Sequence, residues 1–131
     1  MLRRWDEFFG GPNVPSEGRV HVTLNANGVI LLNPKAFEKL GSPETAVLLY
    51  DRRNETIGLR QASADTLHAF PVKPKLKFRH WLIHARPFCR HHKLRVERTI
   101  AFPDANTDTD GTLLLDLHTS IEIGRPGHGT K

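Results

Sequence analysis

Asn33-Pro34-Lys35-Ala36-Phe37-Glu38-Lys39-Leu40-Gly41 carries the punctuation of one short helix. Asparagine stands where a cap must accept from free N–H groups, proline holds the first helical position, and glycine follows the last turn. Phe37 and Leu40 lie three apart, so both face one side and pin the helix to a sheet. The sheet is legible on either side. Upstream, Arg19 to Asn25 alternates, with Val20, Val22 and Leu24 on one face and Arg19, His21, Thr23 and Asn25 on the other, the period of a half-buried strand. Asn25-Ala26-Asn27-Gly28 supplies a turn, because asparagine and glycine accept positive φ cheaply. Val29 to Leu32 is a continuous branched apolar run, read as a strand buried on both faces. Downstream, Ala46 to Tyr50 reads as a strand, Asp51 to Glu55 as a turn, and Thr56 to Arg60 as its hairpin mate.

A second copy of this order is expected between Val72 and His118 at an offset of about fifty residues. Trp81-Leu82-Ile83 takes the place of Ile30-Leu31-Leu32, and Arg86-Pro87-Phe88 that of Lys35-Ala36-Phe37. Arg98 to Phe102 then replaces the Ala46 to Tyr50 strand, and Thr112 to Leu117 replaces Thr56 to Arg60. The segment Pro103 to Gly111 between them is read as a long solvated hairpin turn; its aspartates lack the terminal glutamate and following helix of a calcium loop. The organisation expected is an N-terminal arm over residues 1–18 that docks Trp5, Phe8 and Phe9, a first half over 19–62, a second half over 72–118 packed with the first, and a loose tail over 119–131. The fold class is mainly β with short helices, in two pseudo-repeated ββαββ-like half-barrels.

The stretch Val20 to Ala62 resembles the AbrB and MazE type of swapped-hairpin domain, which occurs as a tandem pair in MraZ-like proteins. The residues that carry the resemblance are the strand Val20 to Leu24, Gly28, the run Val29 to Leu32, the helix end Lys39-Leu40-Gly41, and the strands Ala46 to Tyr50 and Thr56 to Arg60. The resemblance implies a DNA-binding regulatory module without enzymatic activity. It also allows an antitoxin-like interaction module for an acidic protein partner. The chain departs from the family at Val29, where a basic residue is usual, at Asn33, where proline is common, and at Phe37, where arginine is frequent.

Charge points the same way. The 131 residues carry a formal net charge of +5. Acids and bases balance up to Pro71, acids prevail after Thr99, and from Val72 to Arg98 nine bases face Glu97 alone. A segment so basic suits a polyanion. From Lys75 the sequence alternates base with apolar residue, so Lys73, Lys75, Lys77 and Arg79 are expected along one face of a strand, where a row of cations tracks phosphates. Lysine and proline also protect an edge strand from aggregation. The candidate nucleic-acid contacts are Arg19, Lys35, Lys39, Lys73, Lys75, Lys77, Arg79, Arg86 and Arg90. Phe78 and Trp81 are expected in the core rather than stacked on bases.

Other chemistry has less support. His80, His84, Cys89 and His92 are the candidate metal ligands, but no CxxC or HExxH spacing is present and the surrounding cations repel a dication. A lone cysteine after a strand is read first as a small buried hydrophobe, while Arg86, Arg90 and His92 near Cys89 raise the alternative of an activated thiol with a lowered pKa, and with it a metal or thiol enzyme. No GxSxG, GxGxxG or P-loop motif occurs, and no cofactor is expected. A single cysteine and the lack of a long apolar run place the chain in the cytoplasm, off the membrane. It is expected as a monomer with internal pseudo-symmetry or as a homodimer.

Overall fold

The computed structural model describes residues 19–75 and 79–123. The expected arm over 1–18, the residues Lys77 and Phe78, and the tail beyond Ile123 lie outside them. The described chain is mainly β, with two antiparallel sheets and two short helices.

The first hairpin is β1 (Val22–Leu24) and β2 (Val29–Leu32), joined by a turn in which Gly28 takes φ +80°. Asn25 organises that turn, its Oδ1 accepting from the N–H groups of Asn27 and Val29. Helix α1 (Pro34–Lys39) follows, and its cap is the structural knot of the first half. Asn33 is fully buried; its Oδ1 accepts from Ala36 N at 2.8 Å and from His21 N at 3.1 Å, while its Nδ2 donates to the Arg19 carbonyl at 2.7 Å. One side chain thus caps the helix and ties it to the strand before it. Beneath α1, Leu40 is buried and Phe37 stacks on Trp81 with ring centroids 3.9 Å apart and planes within 4°. Strands β3 (Thr45–Asp51) and β4 (Thr56–Ala62) complete the first half as a hairpin.

In the second half, β5 (Phe70–Pro71) and β6 (Lys73–Lys75) precede β7 (His80–His84), helix α2 (Arg86–His91), β8 (Ile100–Ala101), β9 (Asn106–Thr107) and β10 (Leu113–Asp116). A 3-10 turn over Leu117–Thr119 leads to β11 (Ile121–Glu122). One sheet runs β11-β8-β1-β2-β7-β6 and the other β5-β3-β4-β10-β9. The halves are interleaved: β2 pairs with β7, Ile30 opposite Ile83, and β4 pairs with β10, Leu59 opposite Leu113. A single buried cluster takes Val22, Leu24, Ile30, Leu32 and Ile83 from the first sheet, Ile57, Leu59, Leu113 and Leu115 from the second, and Ala36, Leu40 and Phe88 from the helices and their caps.

Three expectations are corrected. Arg98 to Phe102 does not stand in for the β3 strand: its ordered part, β8, pairs with β1 in the other sheet, and the hairpin mate of β10 is β9, inside the segment expected to be a solvated turn. Residues 119–123 are not loose, since β11 pairs with β8 and Ile123 N donates to the Thr99 carbonyl. Two-residue strands are too short to show a period of two, and their partners are distant in sequence. The β2 run is also not buried on both faces; Ile30 and Leu32 are fully buried, while Val29 and Leu31 are half-buried on the outer face.

Candidate nucleic-acid interface

The first sheet has one face in the core and one outside, so the strand period fixes which side chains point out. Register assigns them: Lys73 lies opposite Leu82, Lys75 opposite His80, and His84 opposite Val29. Lys73 and Lys75 therefore share the outer face of the β6 edge with His80 and Leu82, and His21 joins that face because its neighbour Val22 is buried. The row of four lysine and arginine side chains on one strand is corrected. Strand β6 ends at Lys75, and Arg79 sits in the turn before β7 with φ +56°, a left-handed conformation that takes it out of any extended row. Lys77 lies outside the described residues.

At this end of β7 the basic groups are Arg19, Lys75 and Arg79, with His21 and His80 among them. Burial, then the positive charge of Arg19 and of His80, hold His21 below the ordinary histidine value. That is the signature of an imidazole crowded by cations, and an anion placed here relieves it. Lys35 is less available: its Nζ is 3.3 Å from Glu38 Oε1. Lys39 is exposed in the last turn of α1.

Arg86 and Arg90 are elsewhere. They lie on α2, beyond the other end of β7, roughly 13 Å from the Lys75 end by the four strand steps from His80 to His84. The Asn25–Gly28 turn presses on the start of this helix: Ala85 N donates to the Gly28 carbonyl at 2.8 Å, and a Cβ at Gly28 would stand 2.8 Å from Arg86 Cα. Arg19, Lys75 and Arg79 thus gather at one end of β7 and Arg86 and Arg90 beyond the other, with Lys35 and Lys39 apart on α1; Lys93 and Arg95 belong with the second group. Sequence reasoning counted those two in the charge excess but did not single them out, because the segment after α2 has no repeating pattern. Among the described residues, Lys73, Arg79, Arg86, Arg90, Lys93 and Arg95 form no ion pair, and Arg98 lies 4.0 Å from Glu122. Asp108 is occupied in the distant β9–β10 turn, accepting from Asp110 N and Thr112 N.

The metal candidates are not brought together. His80 and His84 share the outer face but sit at the two ends of β7, Cys89 is buried under α2, and His92 packs against Tyr50 and Phe88. Among the described residues no group of three or more metal-ligating side chains converges. The activated thiol is corrected as well. Burial raises the Cys89 pKa, because the helix turns its sulfur inward while Arg86 and Arg90 point out. The His92 Nδ1 is buried without a hydrogen-bond partner, and burial, then His91 and Arg52, lower its pKa.

Among the described residues no helix is long and apolar enough to cross a membrane. No family, curated protein or solved structure matches this chain in the three comparisons made.

Proposed function

We propose that this chain is a non-enzymatic DNA-binding regulatory module of the tandem swapped-hairpin type, which holds duplex DNA by phosphate contacts from the outer face of its first sheet. The observation that carries the reading is electrostatic: basic side chains gather on an exposed sheet edge and its adjoining turn, where Lys73 and Arg79 form no ion pair among the described residues. Arg19, Lys73, Lys75 and Arg79 make the phosphate contacts, and His21 and His80 add charge when protonated.

The tandem reading is supported by backbone conformation as much as by strand order. Non-glycine residues with positive φ are uncommon. Here left-handed residues recur at matched places in the two halves: Gly28 and Arg79 immediately before β2 and β7, Gly41 and Lys93 after α1 and α2, Glu55 and Gly111 before β4 and β10. The central strands β1-β2-β7-β6 and β3-β4-β10-β9 also read the same when the halves are exchanged. A twofold scaffold of this kind suits a twofold ligand such as duplex DNA.

A shift titration of labelled duplex DNA at two salt concentrations tests the proposal. Affinity is expected to fall steeply with salt, and the Lys75→Ala/Arg79→Ala double variant is expected to lose about tenfold or more and to shallow the salt slope by about one per phosphate contact removed. Equal binding by both proteins removes this edge from the interface, and no binding by either removes the function.

A further inference from the structure

The second basic cluster is built differently from the first. Arg86, Arg90, Lys93 and Arg95 surround a two-lobed cleft between α2, the segment that follows it and the Asn25–Gly28 turn. The lobes have volumes of about 290 and 380 Å³ and share Cys89, Arg90, Leu94 and Arg95. No carboxylate lines either lobe, and none of the four cations is ion-paired among the described residues. A concavity lined by cations and no carboxylate favours an anionic occupant.

The rest of the lining narrows the anion. Leu94 and Val96, part-exposed over the buried Leu24 and Cys89, give the cleft an apolar component, and Asn25 and Asn27 stand on its rim. An inorganic phosphate leaves the apolar surface uncovered. A duplex presents a convex backbone with its bases stacked inside, and its surface does not enter a concavity of this size. A molecule with a flat, weakly polar ring and two or more phosphoryl groups uses both parts: the ring covers the aliphatic floor, and the phosphoryl oxygens meet the arginine forks.

We propose that this cleft binds a nucleoside polyphosphate, at a site separate from the sheet edge assigned to DNA. The site does not rest on the DNA reading, because its residues are disjoint from Lys75 and Arg79 and it lies at the other end of β7.

Calorimetric titration of the full chain with ATP, with GTP and with tripolyphosphate tests this, beside the Arg90→Ala/Arg95→Ala and Lys75→Ala/Arg79→Ala variants. Both arginines are exposed, and a circular dichroism melt of each variant confirms its fold. A nucleoside triphosphate is expected to bind at least tenfold more tightly than tripolyphosphate. Loss of Arg90 and Arg95 is expected to weaken nucleotide binding about tenfold or more, and loss of Lys75 and Arg79 to leave it unchanged. Nucleotide binding equal in all three proteins, binding of tripolyphosphate as tight as that of ATP, or no binding of either nucleotide overturns the proposal. If the Arg90/Arg95 variant instead loses affinity for duplex DNA while ATP fails to bind, the cleft contacts a nucleic-acid backbone and the nucleotide site is wrong.

Discussion

The two helix corners follow one backbone course and are held by different means. At α1 a single buried side chain, Asn33, satisfies two N–H groups and a carbonyl, and an aromatic pair fills the space beneath. At α2 the equivalent residue is Ala85, which offers no cap; the corner is secured by the hairpin turn that leans on Arg86. The α1 corner is closed by its own polar chemistry and has little left to offer a ligand. The α2 corner is closed from outside, so its cations stay unpaired around an open cleft. The two corners thus share a backbone course and differ in what closes them.

The comparison breaks first if Asn33 is dispensable. Asn33→Ala removes the cap and leaves buried partners unsatisfied, so a loss of about 3 kcal/mol is expected in a denaturant melt. A loss below about 1 kcal/mol means that α1 is held by packing alone. The next largest effect sharpens the other corner. Gly28→Ala forces a side chain into a left-handed turn and against Arg86 Cα, and a cost of about 2 kcal/mol is expected. Arg79, the matched left-handed residue, is exposed, so Arg79→Gly is expected to change stability by less than about 1 kcal/mol, as relief of strain offsets the added chain entropy. Equal costs at the two positions contradict the claim that only the α2 corner is closed by its turn. The smallest effect is in pH, and it touches both corners. His21 and His92 have pKa values below the ordinary histidine value of about 6.5, so the folded chain binds their protons less readily than the unfolded chain. Stability is full above about pH 6.5 and is lost as pH falls through the lowered folded values. Thermal melts from pH 7.5 to 5 are expected to decline, and His21→Gln and His92→Gln each to flatten part of the decline; melts independent of pH contradict it.

The α1 region was open to sequence reading because its signals are local. Asn33, Pro34 and Gly41 act on their neighbours, and Gly28 marks its own turn. The strands β1, β2, β3, β4, β7 and β10 were found through periods and apolar runs for the same reason. What escaped is non-local or too short. Nothing in Ile100 and Ala101 announces that they pair with Thr23 and Leu24, nearly eighty residues earlier. The cationic row was legible as a composition but not as a geometry, because the left-handed Arg79 turns the chain where alternation alone continues it. The lowered pKa weighed for Cys89 fails for a related reason, since sequence proximity to arginine is not spatial proximity once a helix separates its faces, and the cysteine is the small buried hydrophobe that a lone cysteine suggests.

During synthesis the interleaving has a cost in time. When Ala62 leaves the ribosome, the hairpins of the first half have formed or are forming, yet the free margins of β2 and β4 wait for β7 and β10. At about 5 to 20 residues per second, Asp116 emerges roughly 3 to 10 s later. For those seconds the nascent chain displays two unsatisfied, apolar margins of the kind that recruit strangers. Its yield in the cell then depends on how quickly the later half is translated, and codon choice between Ser63 and Leu115 becomes a determinant of how much protein survives.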